Sequence, residues 1–190
     1  MSAVALCVTA AYLTEMTKAN LLAQLENAKN NFILGLAGTS LLLDPTAQTV
    51  LKTHAVSLGS LHIPMAQVSA LMAVEADRDI AVKEFVLGQH RALIKETFEL
   101  LLSYAAETHQ SSQLKAAANF HFWRMVRNSV SHDAHWRFNS FDLTLLPMSW
   151  NGATLDASMK DQPFAIDFLG YDGLYKLHVD MADFAQSGLT

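Results

Sequence analysis

Asn119-Phe120-His121-Phe122-Trp123-Arg124-Met125-Val126-Arg127-Asn128-Ser129-Val130-Ser131-His132 is the stretch whose reading decides the fold. Its apolar and aromatic residues recur at helical spacing, which predicts a helix with one buried face. At about 100° per residue, His121, Arg124, Asn128, His132 and the following His135 fall on one narrow stripe. Trp123, Val126 and Val130 lie opposite, with Phe122 on the border. Arg127 stands roughly 100° to 140° from Asn128 and His132. Its long side chain must curl round the helix to meet them, or meet the His132 of a second copy. Charged and imidazole groups on a half-buried helix cost free energy unless they are solvated or paired. The stripe is therefore either a site or a polar network tying the helix to its neighbours.

The helical pattern continues upstream. Lys18 to Leu43 reads as the better-defined arm of an early helical hairpin, ended by Asp44-Pro45 because a proline restricts the residue before it. A second short helix is expected from Thr46 to Ser57, and Gly59-Ser60 and Pro64 punctuate the next stretch. Ile80, Phe85, Leu93, Phe98 and Leu101 then mark a long helix, with Glu84, Arg91, Lys95, Glu96 and Glu99 on its polar face. Gly35-Leu36-Ala37-Gly38 lacks a following Lys-Ser/Thr pair, so it reads as close helix packing and not as a phosphate loop.

Downstream the texture changes. Phe141 to Leu146 alternates as a strand does, and Phe164 to Phe168 reads as another, stopped by Gly170. Asn151-Gly152 between them is a strong hairpin signal, because both residues tolerate positive φ. Leu174, Leu177, Met181 and Phe184 form the stripe of a closing helix from about Tyr171 to Gln186. The expectation is one mainly α domain over residues 1–190, with a helical bundle to about residue 136. A small C-terminal β-hairpin and the closing helix occupy about residues 140–187.

At 190 residues, 51% hydrophobic and 16% charged, the chain can bury a sizeable core, which excludes a disordered polar coat. A net charge of -5 argues against a general nucleic-acid coat. Charge is uneven, however. Residues 113–137 hold Lys115, Arg124, Arg127 and Arg137 against Asp133 alone, which leaves an acidic remainder. A basic spot on an acidic body steers a polyanion to one place. Cys7 is the only cysteine, so no intrachain disulfide or thiolate zinc cage is available, as suits a reducing, cytoplasmic setting. Met1 to Leu13 is apolar but has no basic n-region, so no signal peptide is expected. The oily run Phe32 to Leu43 is shorter than the roughly 20 residues a membrane span needs. No membrane partner is expected.

The residue types on the stripe suit RNA cleavage. Histidine titrates near neutral pH and can move the proton of a 2′-hydroxyl or of the leaving oxygen. Arginine offers a planar fork for two phosphate oxygens as negative charge builds. Asn128 can orient the imidazole or bind a phosphate oxygen, this chemistry needs neither metal nor cofactor, and Arg124, His135 and Arg137 are candidates for the RNA approach. His132 and His135 stand at the i,i+3 spacing of shared metal ligation, but no Glu completes a His-Glu-x-x-His arrangement, and no metal is assigned. Phe120, Phe122 and Trp123 have rings that stack on bases, yet their apolar face assigns them to core or dimer packing.

Taken together, Arg127-Asn128, the small spacer Ser129-Val130-Ser131 and His132 resemble the motif of the HEPN superfamily, with Phe120 to Val126 as its apolar approach. The resemblance rests on roughly residues 80–136. It implies a helical bundle that forms a homodimer with the motif helices facing each other. It also implies a metal-independent endoribonuclease with Arg127 and His132 as the catalytic pair and Asn128 in support. Toxins and phage-defence effectors are among such proteins, which brings in an antitoxin or regulatory protein as a partner. Some HEPN toxins carry Tyr two residues after the histidine, where a partner enzyme modifies them; this chain has Ala134 there, so that control is not implied. Other members keep the fold without cleavage, as modules that bind nucleotide, RNA or protein.

Overall fold

A computed structural model describes residues 16–131 and 134–190. Cys7 and the first arm of the expected helical hairpin, before Lys18, lie outside the described residues. The architecture is mainly helical, with two small antiparallel hairpins and a C-terminal helix. Contacts group the described residues into two units, Ile33–Val86 and residues 16–32 with Leu87–Thr190.

The first unit takes in α1 (Lys18–Leu43) from Ile33 onward, α2 (Pro45–Leu51), a hairpin, α3 (Ala66–Ala73) and the start of α4 (Glu75–Glu107). Asp44 caps α2 by accepting from the Ala47 N–H at 2.9 Å, and Pro45 takes the first helical position, where no N–H is needed. The helix expected to reach Ser57 stops at Leu51. Instead β1 (Ala55–Leu58) pairs antiparallel with β2 (Leu61–Pro64), Leu58 opposite Leu61. Gly59, at φ 58°, permits the tight Gly59-Ser60 turn, and the alternating residues on either side follow it into a ladder. Gly38 lines an open apolar groove of about 510 Å³. A methyl group there would meet nothing within 4 Å, so the close packing expected at Gly38 is not made.

The second unit buries four helical faces together. Leu21 and Leu25 of α1, Ile94, Phe98 and Leu101 of α4, Val126 and Val130 of α6 (Phe120–Ser131), and Leu174 and Leu177 of α8 (Gly170–Gly188) belong to one core cluster. Trp123, Val126 and Val130, assigned by spacing to the inner face of the motif helix, are at most 3% exposed. Phe120 and Phe122 are buried as well. The short α5 (Ser111–Lys115) leads into α6.

Asn151 (φ 47°) and Gly152 (φ 83°) do close a hairpin, between β3 (Met148–Trp150) and β4 (Ala153–Leu155). Its strands are not those the alternation suggested. Phe141 to Leu146 falls largely in a helix, α7 (Ser140–Leu145), because Asn139 and Asp142 form a reciprocal cap. The Asn139 side-chain oxygen accepts from the Asp142 N–H at 2.9 Å, and the Asp142 carboxylate accepts from the Asn139 N–H at 3.0 Å. Phe164 to Phe168 is not a strand either. Ile166–Phe168 is a single 3₁₀ turn, and Phe164 packs on Trp136 with ring centroids 5.1 Å apart. Asp180 of α8 fixes the hairpin to α6. One carboxylate oxygen accepts from the Trp123 and Trp150 indoles, both at 2.8 Å, and from the Asn119 amide at 2.9 Å.

Candidate functional site

The outward face of α6 follows from its sequence. Its apolar residues are drawn into the core, which leaves His121, Arg124, Arg127 and Asn128 half-buried on the other side. These four, with Lys115 at the end of α5, line a cleft of about 600 Å³. Phe98, Leu102 and Phe120 contribute apolar wall, and Phe141 of α7 completes it. The volume lies within the roughly 300–1,000 Å³ of small-ligand sites.

Each arginine is held by a carboxylate. Arg124 forms an ion pair with Asp142, which is 1% exposed. Arg127 pairs with Glu99 of α4 and also donates to the Asn128 side-chain oxygen at 3.0 Å, so its side chain does curl toward the amide. The Nε atoms of Arg124 and Arg127, the His121 Nδ1 and the Ser131 hydroxyl are buried without a hydrogen-bond partner among the described residues. His121 packs edge-on against Phe120 (5.3 Å, 76°) and Phe141 (5.6 Å, 64°). Burial lowers the His121 pKa below the ordinary imidazole value, the Arg124 charge lowers it further, and Asp142 opposes both. The ring is therefore mainly neutral at pH 7. Burial also lowers the Arg127 pKa, though a guanidinium stays protonated in proteins.

The expected site residues divide into three groups. Arg127, Asn128 and Arg124 are brought together in the cleft. His132 lies outside the described residues, as does Asp133. His135 and Arg137 do not line the cleft. Ala134 has φ 56°, and His135 forms an isolated backbone bridge with Pro163, so it leaves the helical stripe on which spacing had put it. Arg137 pairs with Asp161 at 2.8 Å. Glu99, Asp142, Phe141 and the central place of His121 were not anticipated. The signal that would have found two of them is the Asn139-x-x-Asp142 cap, which turns Phe141 and Asp142 toward α6. Among the described residues no three His, Cys, Asp or Glu side chains cluster as metal ligands would, and no helix is long and apolar enough to cross a membrane. Compared with family models, curated proteins and solved structures, the chain matches none.

Proposed function

We propose that the chain is a metal-independent endoribonuclease of HEPN type, acting on RNA at the α6 cleft as a homodimer. The supporting observation is the convergence of Lys115, Arg124, Arg127, Asn128 and His121 on one cleft of an otherwise acidic protein. Three cations there suit a phosphodiester, and an amide beside Arg127 suits its non-bridging oxygens. In this reading His132 takes the 2′-hydroxyl proton and later returns one to the leaving oxygen. Arg127 holds the phosphate as charge builds on it. The 2′-oxygen attacks phosphorus and the bond to the 5′-oxygen breaks, giving a cyclic phosphate and a free 5′-hydroxyl. Such an enzyme suits a cytoplasmic toxin or phage-defence effector held in check by an antitoxin or regulatory protein.

The test uses the purified full chain with mixed RNA in chelator and identifies the product ends. Arg127→Ala and His132→Ala should each abolish cleavage while the dimer persists. RNA left intact by the wild-type protein across diverse substrates sinks the nuclease reading. One observation favours a second reading. Arg124 and Arg127 are both already paired with carboxylates, so neither guanidinium is fully free for charge building on a reacting phosphate, and the cleft then serves as the binding face of a module that holds nucleotide, RNA or protein without cleavage. Salt-dependent RNA affinity without any product would select it.

A further inference from the structure

We infer that Phe141 is a stacking platform for one unpaired nucleobase whose phosphate lies on the cations of the same cleft; the inference rests on the reading of that cleft as an RNA site. In the second unit the large hydrophobic side chains exposed among the described residues are Phe141, Tyr171 and Val179, at 54%, 41% and 38%. A lone exposed phenyl on a protein surface means little. Phe141, however, sits on the wall of a cleft that also holds Lys115, Arg124 and Arg127.

The ring is also held in place. Phe98 packs on Phe120 at 5.7 Å, Phe120 on His121, and His121 edge-on to Phe141, so a file of four rings runs from the core to the cleft. The Asn139–Asp142 cap fixes the backbone of α7, and the Asp142–Arg124 ion pair fixes α7 to α6. Phe141 therefore loses little freedom when a second ring lies on it, and its exposed surface offers a π-face that any base can use. Duplex RNA keeps its bases stacked on one another, so only a base already unpaired or splayed out can take this place.

Binding of a fluorescent single-stranded RNA octamer whose 2′-hydroxyls are methylated, so that it cannot be cleaved, is measured beside an abasic strand of the same backbone and length and a blunt duplex of equal length. The wild-type protein should prefer the octamer to both. Phe141→Ala should weaken octamer binding by about 5- to 150-fold and leave the abasic strand unchanged, and Phe141→Trp should restore octamer affinity. An octamer bound equally by wild type and Phe141→Ala, or no better than the abasic strand, overturns the platform while leaving the cleft as a phosphate site. If none of the strands binds, the platform and the RNA reading of the cleft fall together.

Discussion

Asp142→Ala tests how the cleft is held together. The carboxylate is 1% exposed and has two jobs, one oxygen taking the Arg124 guanidinium and the other the Asn139 N–H at 3.0 Å. A hydrogen bond to a charged group contributes about 1.5–3 kcal/mol, and loss of the Asp142 half of the capping box, with the Asn139 side-chain cap kept, costs about 0.3–1.5 kcal/mol. The variant should therefore be destabilised by about 2–4.5 kcal/mol. Arg124 keeps 22% of its side chain in water, which lets the abandoned cation recover some hydration and favours the lower half of that range. For a chain of this size each kcal/mol moves Tm by about 2–4 °C, so a loss of about 3 kcal/mol lowers it by roughly 6–12 °C. Trp123, Trp136 and Trp150 all belong to the second unit, so tryptophan emission during urea unfolding reports on the unit that holds Asp142. A cycle with Arg124→Ala should give a coupling of at least about 1 kcal/mol, since contacting residues are not additive. An Asp142→Ala protein within about 0.5 kcal/mol of wild type, or a coupling near zero, would refute the account of α7 as clamped to α6.

His178 is 2% exposed, with the Thr97 hydroxyl 2.7 Å from Nδ1, and burial followed by the Lys29 charge lowers its pKa to about 4 against a weaker opposing effect of Glu26. The unfolded chain takes up this proton near pH 6.5, so it binds more protons than the folded one between about pH 6.5 and 4. The contribution is complete above that window and falls by up to about 3 kcal/mol as pH drops through it; urea midpoints at pH 7 and 4 should differ less in His178→Asn, and an unchanged difference counts against the assignment. Glu99→Gln removes the carboxylate that competes for Arg127, and because Glu99 is 44% exposed the gain in RNA affinity should be at most about fivefold. Weaker binding in that variant would make Glu99 part of the ligand contact. Gly88 lies inside α4, and an added methyl group meets nothing within 4 Å, so Gly88→Ala should stabilise by about 0.5–1 kcal/mol in the same urea assay; a lower midpoint would show an unrecognised close approach.

What the sequence made legible was governed by periodicity, and what it hid depended on partners far along the chain. The inner face of α6 could be read because Trp123, Val126 and Val130 repeat at helical spacing, and burial follows that spacing directly. The turn at Asn151-Gly152 was equally local, since two residues carry its backbone geometry. The strand reading of Phe141 to Leu146 failed because Phe141, Leu143 and Leu145 alternate, while a six-residue helix is too short to display its own period. The side-chain cap at Asn139 and Asp142 outweighs that alternation. Gly59-Ser60 marked a turn, but Ala55 to Ser57 just before it read as the end of a helix that in fact stops at Leu51. Arg127, Asn128 and Arg124 could be picked out as a group, whereas their carboxylate partners could not. Glu99 had the look of a solvent-facing residue on a long helix, and its pairing with Arg127 exists only once α4 and α6 pack.

The two carboxylates that grip α6 explain why the cleft keeps its shape. Asp180 holds the inner face through the Trp123 indole and the preceding Asn119 amide. Asp142 holds the outer face through Arg124. A slip of α6 by one residue would rotate it by about 100°, swing Trp123 away from Asp180 and carry Arg124 off Asp142 at once. Neither partner can follow, because Asp180 is on α8 and also bonded to Trp150, while Asp142 is committed to the cap of α7. The direction in which Arg124, Arg127 and Asn128 point is therefore set by bonds on both sides of the helix. Hydrophobic packing alone would tolerate small rotations, since apolar contacts are non-directional and a side chain can exchange one apolar neighbour for another. Polar contacts with fixed partners do not permit that exchange, and a face that must present a cation and an amide at one place needs such a restraint.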